Sequence, residues 1–402
     1  MHKILMPSFY SFLGFTIPFF LYCLMLVKWN TPSLVSIIIF SSFSLLNGIS
    51  YYFYNRKMNQ RIKSISRLKK KKSLVDIFSL YFCATIGMAG YIFYYKDLIA
   101  TFQIKWLIIF ITHGARQIRL YEPEGVSTQL TYFGWIACCL ISFYLSSKKI
   151  SRYWIYYIVA SVIMSLGYVD RVKPISILFF STFGYLSGLL LNNYKKIKLY
   201  RVAKIVIIVL SIGLLIYIGI ALSLDKISGN RYGETILPAT IANIYIYLTG
   251  GFAYFDNIIG SNFIGTGFYM FFYPLFKFFS MFHIFGYDSF FKENLPFLSL
   301  PMIKINVATG LEPIYSSFGL IGLVFFCIMY PFGADKLAIY LVTLQSDFKI
   351  VVMATIAWTS LFLFFTLRIT STPFYFIMIF SILTMILNFL SQRKRRKNIF
   401  LK

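Results

Sequence analysis

Residues 194–223 read YKKIKLYRVAKIVIIVLSIGLLIYIGIALS. Four lysines and one arginine crowd the first eleven positions, and the nineteen positions 205–223 carry no charge at all. A helix needs about 20 mostly apolar residues to cross the hydrocarbon of a bilayer, and an excess of Lys and Arg marks the cytoplasmic flank of such a segment. The pattern of a basic cluster abutting a long apolar run recurs along the chain. Of its 402 residues, 58% are hydrophobic, 20% aromatic and 13% charged. Soluble domains are nearer 45–50% apolar and about 25% charged. That departure in both directions excludes a soluble enzyme, a disulfide scaffold and a disordered chain.

Spans are read at 7–27, 33–54, 74–94, 129–147, 154–168, 174–191, 205–223, 314–332, 350–367 and 374–390. The expected fold is therefore an all-α polytopic integral membrane protein with about ten transmembrane helices. Two further stretches, 235–255 and 262–286, raise the count to twelve if they also cross. The first apolar run follows Lys3 without a small-x-small cleavage site and reads as an uncleaved span. Placing the basic clusters inside puts both termini in the cytoplasm. The segments 1–6, 55–73, 148–153, 192–204, 333–349 and 391–402 then hold 26 of the 39 Lys and Arg and only two acids, Asp335 and Asp347. The net charge of +26 follows this alternation, so nucleic acid is not an expected partner. Membrane lipid is, since basic juxtamembrane clusters attract anionic headgroups.

The cluster at 192–204 separates residues 1–204, a six-span part with an outer loop at 95–128, from residues 205–402, which carry a large outer loop at 224–313 and a basic tail. The first loop holds an apolar stretch, 104–112, too short to span and better suited to an interfacial or re-entrant path. The second has seventeen Phe and Tyr between 252 and 291, a composition that favours the membrane–water interface.

The five cysteines all fall in apolar runs and lack metal-ligand spacing, and His2, His113 and His283 are far apart. No metal and no cofactor is expected. The sequence GSNFIGTG (260–267) lacks the lysine of a phosphate loop and does not follow a strand. Chemistry is therefore expected to use a substrate already in the membrane. On the outer side, Arg116 and Arg119 fall on one helix face, followed by Glu122 and Glu124. They suit either a bidentate phosphate clamp or a charge-balanced interfacial turn. Arg231 and Glu234 suit an ion pair or a second clamp with a carboxylate beside it. Asp170 and Arg171 occupy a tight turn between spans and are read as orienting it. The stretch NVATGLEPIYSSFGLIGLVFF (306–326) places polar groups directly before a span. There Glu312 serves either as a partly desolvated base or as an acid favoured at a helix start beside Pro313.

Asn306, Thr309, Tyr315, Phe318, Gly319 and Gly322 resemble the N-x-x-T…Y-x-D-F-G-x-x-G pattern of the O-antigen polymerases, the Wzy-type polymerases of oligosaccharide repeat units. Arg231 followed by YLTGGFAYFD (247–256) is similar to that family's arginine and its small and aromatic stretch, and Arg116 fits an arginine-bearing early loop. Ser317 departs from the pattern where Asp is usual. The resemblance implies an enzyme of the bacterial inner membrane. It would be a glycosyltransferase that joins undecaprenyl-diphosphate-linked repeat units on the periplasmic face, for O-antigen or capsule. It implies Arg116, Arg119 and Arg231 around the diphosphate, Glu312 or Glu234 as base, and Asn306, Thr309 and Tyr315 against substrate. The pathway's flippase and chain-length regulator are implied partners. An O-antigen ligase shares this layout, and a repeat-unit flippase is the transporter alternative, which the long loop 224–313 disfavours.

Overall fold

A computed structural model describes residues 2–27, 29–65, 74–103, 126–193, 199–223, 239–260, 272, 298–299, 304–305 and 309–400. The described chain is helical, apart from a two-residue antiparallel pairing of β1 (Leu298–Ser299) with β2 (Lys304–Ile305). Its helices are α1 (Pro7–Ser11), α2 (Ile17–Cys23), α3 (Leu34–Ile65), α4 (Leu74–Phe102), α5 (Val126–Ser146), α6 (Trp154–Leu166), α7 (Val172–Asn193) and α8 (Leu199–Ser223). There follow α9 (Ala239–Gly260), α10 (Glu312–Thr343), α11 (Lys349–Leu361) and α12 (Thr372–Phe400). Among the described residues, seven helices are long and apolar enough to cross a membrane: α3, α4, α5, α7, α8, α10 and α12. The fold is that of an α-helical multi-pass membrane protein.

Three expected spans take other forms. The run 7–27 is helical through Cys23, with a π-helical turn (Phe12–Thr16) joining α1 to α2. Pro18 explains that turn: it has no N–H to give and its ring crowds the carbonyl four residues back, so the preceding turn widens. The runs 154–168 and 350–367 form helices of only thirteen residues, α6 and α11. The extra candidate 235–255 does become a helix, α9, but is not among the seven. The other, 262–286, lies almost wholly outside the described residues, as does the expected interfacial stretch 104–112.

Two helices overrun their expected ends. α3 continues into the basic segment after Tyr54. α10 continues past residue 332 through Asp335, which had been placed in a cytoplasmic segment. Asp335 is fully buried, and its carboxylate accepts the Ser8 N–H (3.1 Å) and the Ser50 hydroxyl (2.7 Å). Those donors offset its desolvation and let the helix carry it inward.

The core has two parts. In one, α5 is packed between α4 and α7, with 78% of its span buried. Trp135 of α5 meets Trp358 of α11 edge-on at 5.7 Å, and Trp358 donates its indole N–H to Ser176 of α7 (2.9 Å). In the other, Phe252 of α9 is enclosed by Phe15, Phe19, Tyr22 and Phe40, with ring centroids 5.0 to 6.1 Å away. Ser33 fixes the start of α3. Its hydroxyl accepts the Ser36 N–H (3.2 Å) as an N-cap and donates to Asp256 of α9 (2.6 Å). At the opposite end, Asp76 of α4 gathers the Ser346 hydroxyl (2.7 Å), the Asp347 N–H (2.9 Å) and the Asn388 amide (3.4 Å), tying α11 and α12 to α4.

Candidate functional site

The stretch before α10 is held from two sides. The Thr309 N–H donates to the Gly251 carbonyl of α9 (3.2 Å), and the Gly310 N–H donates to the Leu363 carbonyl at the end of α11 (2.7 Å). Thr309 is fully buried. Pro313 occupies the first turn of α10, where a missing N–H costs nothing. Glu312 begins that helix. It is 1% exposed, and its carboxylate accepts the Ser316 hydroxyl (2.5 Å) one turn on. Tyr315 meets Phe255 of α9 edge-on at 5.9 Å. Two sequence stretches roughly 60 residues apart, 247–256 and 309–322, are thus brought into one place.

The glycines of the second stretch have a geometric cause. Gly319 sits at φ 62°, ψ −161°, a non-helical conformation inside α10 that only glycine adopts without strain. It breaks the first two turns of α10, which carry Glu312 and Tyr315, away from the long remainder. Immediately after the break, a Cβ at Gly322 would lie 2.1 Å from that of Phe318. F-G-x-x-G is therefore the sequence of a fixed bend.

Beside this stretch lie two cations, Arg171 buried and Arg368 half-buried. Arg171, at the start of α7, is 3% exposed, and its Nε and Nη1 are out of water with no hydrogen-bond partner. Its guanidinium rests 4.5 Å from the Tyr217 ring centre of α8 and 5.0 Å from that of Tyr247 of α9. Tyr247 stacks on Phe365 at 4.7 Å. Arg368 lies over Phe365 (5.8 Å), Phe362 (5.2 Å) and Trp358 (5.5 Å). Its Nε and Nη2 are likewise buried and unpartnered. Burial pushes the Arg368 guanidinium below its ordinary pKa, and the nearby Asp170 carboxylate pulls it back up. Asp170 itself accepts the Val172 N–H (3.0 Å) at the start of α7. Lys173 stands over the Tyr168 ring.

Of the residues singled out in the sequence, Thr309, Glu312 and Tyr315 are brought together. Arg116, Arg119, Arg231, Glu234 and Asn306 lie outside the described residues. Arg171 was read as orienting a turn, and its burial without an ion pair gives it a larger place. Arg368 was not singled out at all. Its signal was a lone cation in the six residues 368–373 between two apolar runs, a position where charge is expensive and tends to be functional. Among the described residues, no group of three or more His, Cys, Asp or Glu is arranged to hold a metal ion. Comparison with protein-family models, with curated proteins and with solved structures finds no match.

Proposed function

We propose that the protein is a glycan polymerase of the bacterial inner membrane. It joins oligosaccharide repeat units carried on undecaprenyl diphosphate at the periplasmic face, making O-antigen or capsule. The single observation that supports this reading most is the meeting of 247–256 with 309–322, the two described stretches that carry the resemblance, around one buried carboxylate. The reading includes ten to twelve spans with both termini cytoplasmic, and a large outer loop at 224–313.

In this reading an acceptor sugar hydroxyl attacks the anomeric carbon of the lipid-linked glycan. The bond to the diphosphate oxygen breaks, and the diphosphate leaves with the electron pair. Glu312 takes the hydroxyl proton, as a positioned base does. Ser316 orients its carboxylate. Charge developing on the diphosphate calls for fixed cations, for which Arg116, Arg119 and Arg231 remain proposed. Energy comes from the lipid diphosphate bond, so no nucleotide is required. The flippase and the chain-length regulator of the same pathway are the proposed partners.

The test is a gel of surface polysaccharide from a deletion strain, with and without the gene restored. Collapse of the ladder to core plus one repeat is the expected result. Complete loss of repeat-bearing polysaccharide points instead to a ligase or a flippase, and an unchanged ladder removes the assignment.

A further inference from the structure

A guanidinium out of water needs compensation. Transfer of a charge into a low-dielectric setting is among the largest penalties in a fold unless the charge is paired and hydrogen-bonded. Aromatic faces supply part of that compensation. They leave N–H donors unused, and Arg171 and Arg368 each keep two buried nitrogens without an acceptor. The only carboxylate described beside them, Asp170, is engaged by the Val172 N–H and forms no ion pair with either. Among the described residues, the two arginines thus have no carboxylate bonded to them. Both arginines also belong to one aromatic assembly, through the Tyr247–Phe365 stack. Such an arrangement is built to receive an anion.

Resting on the polymerase reading above, we infer that Arg171 and Arg368 bind the diphosphate of the lipid-linked substrate. Planar forks suit phosphoryl oxygens better than point charges do. A diphosphate carries anionic oxygens on both of its phosphorus atoms, as acceptors for such forks. The ligand's own lipid delivers it from the bilayer to a site walled by transmembrane helices. Tyr217 and Tyr247 act as positioning residues that hold the Arg171 plane.

The test uses the full-length protein purified in detergent and measures binding of farnesyl diphosphate, farnesyl monophosphate, farnesol and inorganic diphosphate. The expected result is tightest binding of farnesyl diphosphate and none of farnesol. R171Q and R368Q should each bind farnesyl diphosphate about tenfold or more weakly, as loss of charge-assisted hydrogen bonds implies. R171K and R368K keep the charge and the contact with the rings. A purely structural arginine would leave them at wild-type affinity, whereas the fork predicts a loss confined to the phosphorylated probes. Should a glutamine variant not give a monodisperse protein, its lysine counterpart decides. Wild-type protein that binds no phosphorylated probe, or lysine variants of wild-type affinity, overturn the inference. Equal affinity for inorganic and farnesyl diphosphate overturns the lipid-linked assignment. Because binding is measured without glycan synthesis, a failure here leaves the polysaccharide ladder free to uphold or reject the polymerase reading on its own.

Discussion

Substitution of Gly319 by alanine separates backbone strain from packing in a way few positions allow. Space is not the issue there, since an added Cβ would meet nothing within 4 Å. The conformation is: φ 62°, ψ −161° lies in a region that is essentially glycine-only and costs other residues on the order of 1–3 kcal/mol. Alanine also prefers the helix over glycine by about 1 kcal/mol, which pulls position 319 toward a straight α10. Straightening would swing Glu312 away and break the contacts of Thr309 with Gly251 and of Gly310 with Leu363. Gly319→Ala should therefore lower the thermal midpoint of the detergent-purified protein and shorten the polysaccharide ladder. Gly213→Ala is the control. Gly213 lies inside α8 with ordinary helical dihedrals and open space around its Cβ site, so the same added methyl should stabilise by up to about 1 kcal/mol. If both variants move the midpoint the same way, the assignment of the bend to Gly319 is wrong.

Three further outcomes are expected. Phe252→Ala empties the centre of the second core and should destabilise by about 3–5 kcal/mol, read as a lower unfolding midpoint; a loss under about 1 kcal/mol would mean the ring cluster is not a packed core. Glu312→Gln keeps the shape and the Ser316 contact while removing the base. It should abolish polymerisation with the thermal midpoint nearly unchanged, and a normal ladder would exclude Glu312 from the chemistry. Asp76→Ala strips acceptors from three buried donors and should cost about 3 kcal/mol or more, seen as reduced thermal stability, whereas Asp97→Ala, an acid on the same helix, should cost less than about 0.5 kcal/mol.

What the sequence made legible was whatever depended on composition along one helix. Nineteen uncharged residues at 205–223 announce a span on their own, and α8 stands where they lie. Glycines at 319 and 322 could be flagged as a pattern, but their reason is a dihedral and a contact with Phe318. That Asp335 is buried and compensated could not be read, because its donors, on Ser8 and Ser50, lie 327 and 285 residues away. No local window holds that information. Arg368 escaped notice for the same reason: the sequence gives a charge, and only packing of Trp358, Phe362 and Phe365 around it shows that two of its nitrogens are out of water. The π turn in the first helix was not legible because apolarity alone does not register how Pro18 widens the turn before it.

The buried acids have a consequence for the molecule's outward face. Asp76, Asp256, Glu312, Asp335 and Asp347 are five of only thirteen acids in the chain, and all are turned inward. Each is engaged with hydroxyl or N–H donors of its own chain, or with a tyrosine hydroxyl in the case of Asp347. They hold helices together instead of neutralising the surface lysines and arginines. Being engaged inside, these five carboxylates do not offset the basic segments beside the helices. Anionic headgroups, rather than these five carboxylates, are then the natural counter-charge for the lysines and arginines that flank the helices.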